Sequence, residues 1–352
     1  MVCVSPEKLA EHDGDIDSAV TEMMAPYQEN NMGDCPDEYL EFNDIEDEYR
    51  ERYENDTSPW VRCPDGLMVY PWDKRFRVEG SFGIGSGTHK VPEDQGYEEI
   101  DIPLKEMYST FEECMADYCG YKKCDPKTGR YGYWENRNSK WDYWLVGGRW
   151  SGYFFVKPGT ETAVTKGSWY SPEEFEENTT DICRIADLDL LRIEAEMLKR
   201  AKKFWDEFVE FRKTGKVPEE DKELYTVRGR AMDVGLLEVV EDPEEGKKRG
   251  GFRWADTIKN LREDDNRRDW YDVINQDITK EEFLSDWLGY YCPIRTFAAL
   301  DDNGWHEAGK MGWWGMNLAS PETCHEYSQV FMDKFIYEKD PETILVVCDC
   351  HI

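Results

Sequence analysis

The stretch "KWDYWLVGGRWSGYFF", Lys140 to Phe155, gathers seven aromatic rings around Gly147, Gly148 and Arg149. Trp141 to Val146 predicts a strand that is apolar on both faces, which only a sheet covered on both sides can bury. Tyr153 to Val156 predicts its partner, with "GGRWSG" as the connection. The two glycines there can take positive φ or admit a second backbone at close range. Arg149 then emerges among Tyr143, Trp144, Trp150 and Tyr153. It either stacks on rings and pairs with an acid, or it clamps a phosphate or carboxylate.

A chain of 352 residues with 39% hydrophobic and 14% aromatic content can bury a real core. Its aliphatic residues are sparse, so that core rests on Trp, Tyr and Phe, whose polar edges need partners. No apolar run reaches the length of a membrane span, and "MVCVSPEKLAEHDGD" has neither a basic nor an apolar leader region. The expectation is a soluble protein of the cytoplasm with no membrane contact. Eleven scattered cysteines favour free thiols over a disulfide framework. Cys114, Cys119 and Cys124 are evenly spaced, but a five-residue interval on a predicted helix puts the first two on different faces, a poor zinc set. No cofactor is expected.

The net charge of −33 disfavours direct nucleic-acid binding, because each phosphate contact needs a cation. So much acid is either a solvated surface or a mimic of nucleic acid that fills a basic groove on another protein. Short mixed blocks of acid, rather than a regular ladder, favour the solvated surface.

Residues 1–50 are the most acidic, yet Met1 to Val4 predicts a strand, and Ile16, Val20, Met23 and Met24 lie at helical spacing before Pro26. Residues 51–160 form an aromatic, strand-rich part. It contains a hairpin in "WVRCPDGLMVYPWD", a strand in "FRVEGSF", and a short helix in "STFEECMADYCG" with Ser109 and Glu112 as its capping box. The glycines of "GSFGIGSGTHK" match no phosphate-loop spacing and read as a flexible loop. Residues 184–275 predict a helical and acidic insertion. Within it Leu190, Ile193, Met197, Ala201, Phe204, Phe208 and Phe211 make one apolar stripe capped by Asp187 or Asp189 and ended by Gly215, and 218–251 is a surface excursion or small subdomain. Residues 276–352 close the sheet as strand, strand, helix and strand. Their signals are the capping box Thr279 and Glu282, the Asp-Asn-Gly turn of "DDNGWHEAG", the helix opened by Ser320 and Pro321, and the buried strand "TILVVCDCHI". The whole, 1–352, is expected to be a single α+β unit with an antiparallel or mixed sheet, a long central amphipathic helix and a ferredoxin-like, split βαβ C-terminal part.

Four ordered elements carry a resemblance: "APY-x-EN" (Ala25 to Asn30), "GYWEN…KWD-Y…GGRW" (Gly132 to Trp150), "AD-x-D" (Ala186 to Asp189) and "WHE-x-G-x-MGWWG…VV-x-DCHI" (Trp305 to Ile352). In these the chain resembles a family of uncharacterised bacteriophage and prophage proteins. The resemblance implies a phage-associated role in the cytoplasm of a bacterial host and brings no activity with it. Relatives open on a longer strand containing Ser-His-Phe-Thr-Val, whereas this chain begins "MVCV".

Candidate chemistry is sparse with five histidines. His306 and His351, with Asp349 nearby and Arg149 as a third member, have the types needed for phosphodiester or phosphate-ester cleavage. Cys350, His306 and His351 are the alternative weak metal set, although Cys350 and His351 must point to opposite faces of a strand. Arg149, Trp144, Trp150 and Trp314 are the ligand-binding candidates. The favoured expectation is an accessory protein that binds a small anionic, nucleotide-like ligand or a host protein without chemistry. The alternatives are a hydrolase and an acidic inhibitor of a nucleic-acid-binding host protein.

Overall fold

The computed structural model describes residues 1–76, 90–161, 176–214, 237–239, 252–254, 277–309 and 319–351. It combines helices with mixed and antiparallel sheets, an α+β architecture. Where one unit was expected, the chain divides into two compact ones: Met1–Gln28 with Asn138–Ile352, and Glu29–Arg137.

The first unit is organised by strand β1 (Val2–Val4), which lies at the centre of a five-stranded sheet. Around it the order is β10 (Ile182–Arg184), β15 (Ile344–Val346), β1, β13 (Ala298–Asp301) and β14 (Gly304–Glu307). Val2 and Val4 face one side and Cys3 the other, and all three are buried. The period of two thus serves two cores at once. On the first side, helix α2 (Ile16–Met24) brings Ala19, Val20, Met23 and Met24 against Leu300 and Val346. Asp15 caps this helix through the amides of Asp17 and Ser18, and Pro26 follows its end, as the spacing predicts.

On the second side, Cys3, Ala299 and Leu345 meet two helices. One is α6 (Leu190–Thr214), whose stripe buries Ile193, Met197, Ala201 and Phe208. Asp189 rather than Asp187 caps it, accepting from the Arg192 amide at 3.0 Å. The other is α8 (Pro321–Met332), capped by Ser320, which with the turn that follows buries Phe331 and Phe335. Helix α7 (Lys280–Trp287) carries the predicted Thr279 and Glu282 capping box and stacks Phe283 on Phe208.

The C-terminal part keeps the expected element order but not the split βαβ arrangement. Such a unit places the second strand of the hairpin beside β1, antiparallel throughout. Here the first, β13, lies parallel to β1 with Val2 opposite Leu300, and β14 takes the edge. The reason is local: the Met1 carbonyl accepts the Leu300 amide and the Met1 ammonium donates to the Ala298 carbonyl, so β13 is held along its length by β1. The closing strand also differs. It breaks at Val347 into β15 and β16 (Cys348–His351), and β16 pairs in a separate sheet with β7 (Tyr143–Val146).

The second unit pairs β2 (Glu41–Asp44) with β6 (Gly132–Glu135), and β3 (Thr57–Arg62) with both β4 (Met68–Val69) and β5 (Glu98–Pro103). The predicted hairpin is β3 and β4. Ile45, Phe111, Met115 and Tyr131 form its core under α3 (Glu46–Asn55) and α5 (Phe111–Asp117). The cap of α5 lies one residue later than predicted and is not a capping box: Thr110 accepts the Glu113 amide, while the Glu113 carboxylate accepts the amide of Ser109, the residue before the cap. The strand "FRVEGSF" and the loop "GSFGIGSGTHK" lie largely outside the described residues. So do Gly215 and 218–251, apart from Leu237–Val239, which pairs with Phe252–Trp254.

Gly289, in the turn after α7, shows how closely these elements approach: a Cβ there would lie 2.5 Å from the Ser328 carbonyl oxygen of α8. Gly289→Ala is therefore expected to destabilise the chain by about 1–3 kcal/mol through overpacking. A lower urea midpoint at unchanged slope would show it.

Candidate functional site

The predicted hairpin at Arg149 is not a hairpin. Strand β7 takes β16 as its partner, while β8 (Phe154–Phe155) pairs with β9 (Thr179–Thr180). The segment between them turns sharply, with positive φ at Gly147, Gly148 and Gly152 and a short 3-10 turn over Gly148–Trp150. Side chains would not fit: a Cβ at Gly148 would lie 2.6 Å from the Asp349 carboxylate, and one at Gly147 would run into Asp181. These glycines serve both functions at once, positive φ and close approach.

Two buried carboxylates hold this turn. Asp349, on β16, accepts the Arg149 amide at 2.9 Å and the Arg149 Nε at 2.9 Å, and Arg149 Nη2 also donates to it. Asp181, fully buried between β9 and β10, accepts the Gly152 amide at 2.6 Å. Its own carbonyl accepts the Val347 amide, and the Val347 carbonyl accepts the Gly147 amide. Arg149 thus fulfils the pairing role, with Asp349 supplying the carboxylate that an external anion would otherwise provide. Its side chain remains about half exposed at 46%.

The rings around it diverge. Trp141 is buried and donates its indole N–H to the Met24 carbonyl, and Trp144 packs edge-on against it in the core beside α2. Trp150 and Tyr143 face solvent. Trp314 lies outside the described residues. The aromatic candidates therefore do not line one pocket: Trp144 belongs to the core and Trp150 to the surface.

His351 stacks on Tyr143 with centroids 5.0 Å apart, and its Nδ1 lies 2.8 Å from Asp142. Cys350 packs on the opposite side into the core, and burial pushes its thiol up to about 11, away from the thiolate a metal would need. His306, on edge strand β14, is partnered elsewhere. Its Nε2 lies 2.9 Å from buried Asp301, and its Nδ1 lies 3.0 Å from Lys334 Nζ. An ammonium has only donors, so Nδ1 accepts and Nε2 carries the proton toward Asp301. Lys339 completes this cluster with a 2.5 Å bond to Asp301. No hydrogen bond or ion pair joins His306 to His351 or Arg149 among the described residues. The three-residue hydrolytic set is therefore not assembled, nor is the Cys350, His306 and His351 metal set.

Among the described residues no three His, Cys, Asp or Glu side chains are arranged to hold a metal. Cys114 and Cys119 do meet, against expectation, because Cys119 falls beyond the end of α5. Burial raises both thiols, that of Cys119 to about 11, with each other's sulfur as a further influence. Sequence reasoning missed Asp301, Asp181, Asp142, Lys334 and Lys339. The available signal was an acid ending an apolar run, as in "FAALD" and "TTDI".

Burial alone would raise the Asp301 carboxyl, but hydrogen bonds from Lys339, His306 and the Asn303 amide overcome it and hold the group down to about 2. A carboxyl that titrates lower when folded adds stability above its unfolded value, and loses it as pH falls through the folded one. The contribution, roughly 2 kcal/mol, is present above about pH 4 and is lost toward pH 2. Asp301→Asn is expected to flatten stability across that window, which denaturant titration at stepped pH would reveal. For the other pair, Arg149→Ala strands a charge on buried Asp349 and is expected to cost about 3 kcal/mol. Asp349→Asn should cost less, since Arg149 can reach water. The double variant should resemble Asp349→Asn in chemical denaturation, and additive losses would show that the two side chains are not coupled. The chain matches no protein-family model, no curated protein and no solved structure.

Proposed function

We propose that the chain is a phage-type accessory protein that binds a basic host protein through its acidic surface, without chemistry of its own. One observation carries this reading: Arg149, the cation that stands out as an anion clamp, is met by a carboxylate of its own unit, as are Lys339 and Lys140, while the excess acid faces solvent. Arg149 is met by Asp349, Lys339 by Asp301 and Lys140 by Glu307. Between Asp34 and Asp56 stand eleven acids and two arginines, and Glu46 is the single acid of the eleven that is buried. Several of these acids pair with surface cations, but such pairs are weak and screened. Among the described residues Asp34, Glu38, Glu51 and Asp56 have no cationic partner.

Such a surface favours encounter with a positively charged groove, including one evolved for nucleic acid, and the attraction weakens with salt. The reading places the protein in the bacterial cytoplasm, where such partners are abundant. A small anionic ligand at Arg149 would have to compete with Asp349, which is already in contact.

Native mass spectrometry of protein purified gently from a bacterial host, beside a denatured spectrum, tests this. A basic protein should be retained at about 50 mM salt and released at about 500 mM, where the screening length falls to a few ångströms. Glu38→Lys with Glu51→Lys should weaken retention about tenfold without loss of fold by circular dichroism. A small-mass adduct that disappears in Arg149→Ala would instead assign a ligand to the turn.

A further inference from the structure

The second unit carries an exposed ladder of aromatic rings whose presence its own fold does not explain. Trp60, on β3, lies 4.2 Å from Tyr70, just past β4, and Tyr70 stacks on Trp72 at 4.9 Å and 8°. Exposure rises outward along the ladder, to 37% at Tyr70 and 58% at Trp72. Leu67, in the same hairpin, is 51% exposed. Large rings left this open are uncommon on a surface without a partner. Aromatic anchors of this kind concentrate binding energy in protein interfaces.

The chemistry of the occupant follows from the charge around the rings. Glu29–Arg137 contains 26 acids and 13 bases, so any partner that docks here gains by being cationic. The two nearby arginines are already matched: Arg62 pairs with Glu98, and Arg75 pairs with Asp73. Tyr108 donates to Asp117 at 3.2 Å, and burial together with that carboxylate pushes its phenol up to about 12. Asp117 and Asp65 have no cationic partner among the described residues. Rings elsewhere in this unit already hold cations over their faces: Arg50 over Phe111 at 4.1 Å, Arg52 over Tyr49 and Lys127 over Trp134 at 5.0 Å each. Trp60, Tyr70 and Trp72 hold none among the described residues. Planar guanidinium stacks on such faces while its edge bonds carboxylates, a combination that ammonium lacks.

We infer that the Trp60, Tyr70 and Trp72 ladder is the docking surface for an arginine-rich segment of a basic partner protein. The inference rests on the acidic-surface reading above and adds to it a place and a residue preference.

Fluorescence anisotropy with labelled nona-arginine and nona-lysine peptides, on the full chain at stepped salt, separates the two. Nona-arginine should bind several-fold tighter than nona-lysine. Trp72→Ala should weaken nona-arginine about five- to tenfold and nona-lysine little. Tyr70→Phe, which keeps the ring, should retain arginine binding and so guard against a loss caused by misfolding. Equal binding of both peptides, unaffected by Trp72→Ala, would overturn the ladder inference while leaving the acidic-surface reading standing. Binding of neither peptide at about 50 mM salt would remove both. A dimer in sedimentation velocity that dissociates in Trp72→Ala would assign the ladder to a second copy of the chain and overturn the inference as well.

Discussion

The first unit depends on carboxylates placed where water does not reach. Asp181 and Asp349 take up the amides of a turn whose glycines leave no room for side chains, and Val347 links the two through its own amide and carbonyl. Without them, the Arg149 and Gly152 amides would lose their acceptors, each costing about 1–3 kcal/mol when unmet in a protein interior. Asp349 also pairs with the Arg149 guanidinium, and such charge-assisted hydrogen bonds are shorter and stronger than neutral ones. Arg149 then has a structural duty: it neutralises the carboxylate that organises its own backbone. The side chain that stands out most in the sequence is thus occupied by holding together two strands from opposite ends of the unit.

Much of the local structure was legible in the sequence because it depends on neighbours. The spacing of Ile16, Val20, Met23 and Met24 gave α2, the stripe from Leu190 gave α6, and Thr279 with Glu282 gave the start of α7. Strand partners were not legible. Arg149 and Asp349 are separated by 200 positions, and nothing in "GGRWSG" says that its flanking strands go to different sheets. The same applies to "TILVVCDCHI", whose apolar run from Ile344 to Cys348 passes through the change of partners at Val347, because a break in pairing needs no break in hydropathy. The slip from Ser109 to Thr110 as helix cap has a simpler cause, since adjacent hydroxyl residues offer the same chemistry one position apart.

The candidate site was half legible for a related reason. Residue types were visible, so His306, His351 and Arg149 stood out, but their partners are acids, and in a chain with 76 acids an aspartate carries almost no signal. Asp301 is the clearest case: it ends an apolar strand, is buried, and gathers Lys339 and His306 about itself. An isolated ionised carboxylate in that position would be costly, and its cation partners are what make it tolerable. His306 is accordingly part of a hydrogen-bonded cluster around one buried carboxylate at a sheet edge.

This distribution of charge also separates the two faces of the molecule's electrostatics. Inside, the buried aspartates Asp301 and Asp349 are matched one to one or better, which rigidifies without attracting a partner. Outside, acids outnumber bases, and mutual repulsion works against the compact state. A protein that tolerates such repulsion gives up stability across its whole surface, and a cationic partner relieves it in proportion to the charge it brings. The long aromatic cores are what make that tolerable: Phe208, Phe283, Phe331 and Phe335 are fully buried, and rings of this size bury enough apolar area to offset a repulsive exterior. Binding and folding thereby draw on the same electrostatic term, so stability should rise when the acidic surface is covered.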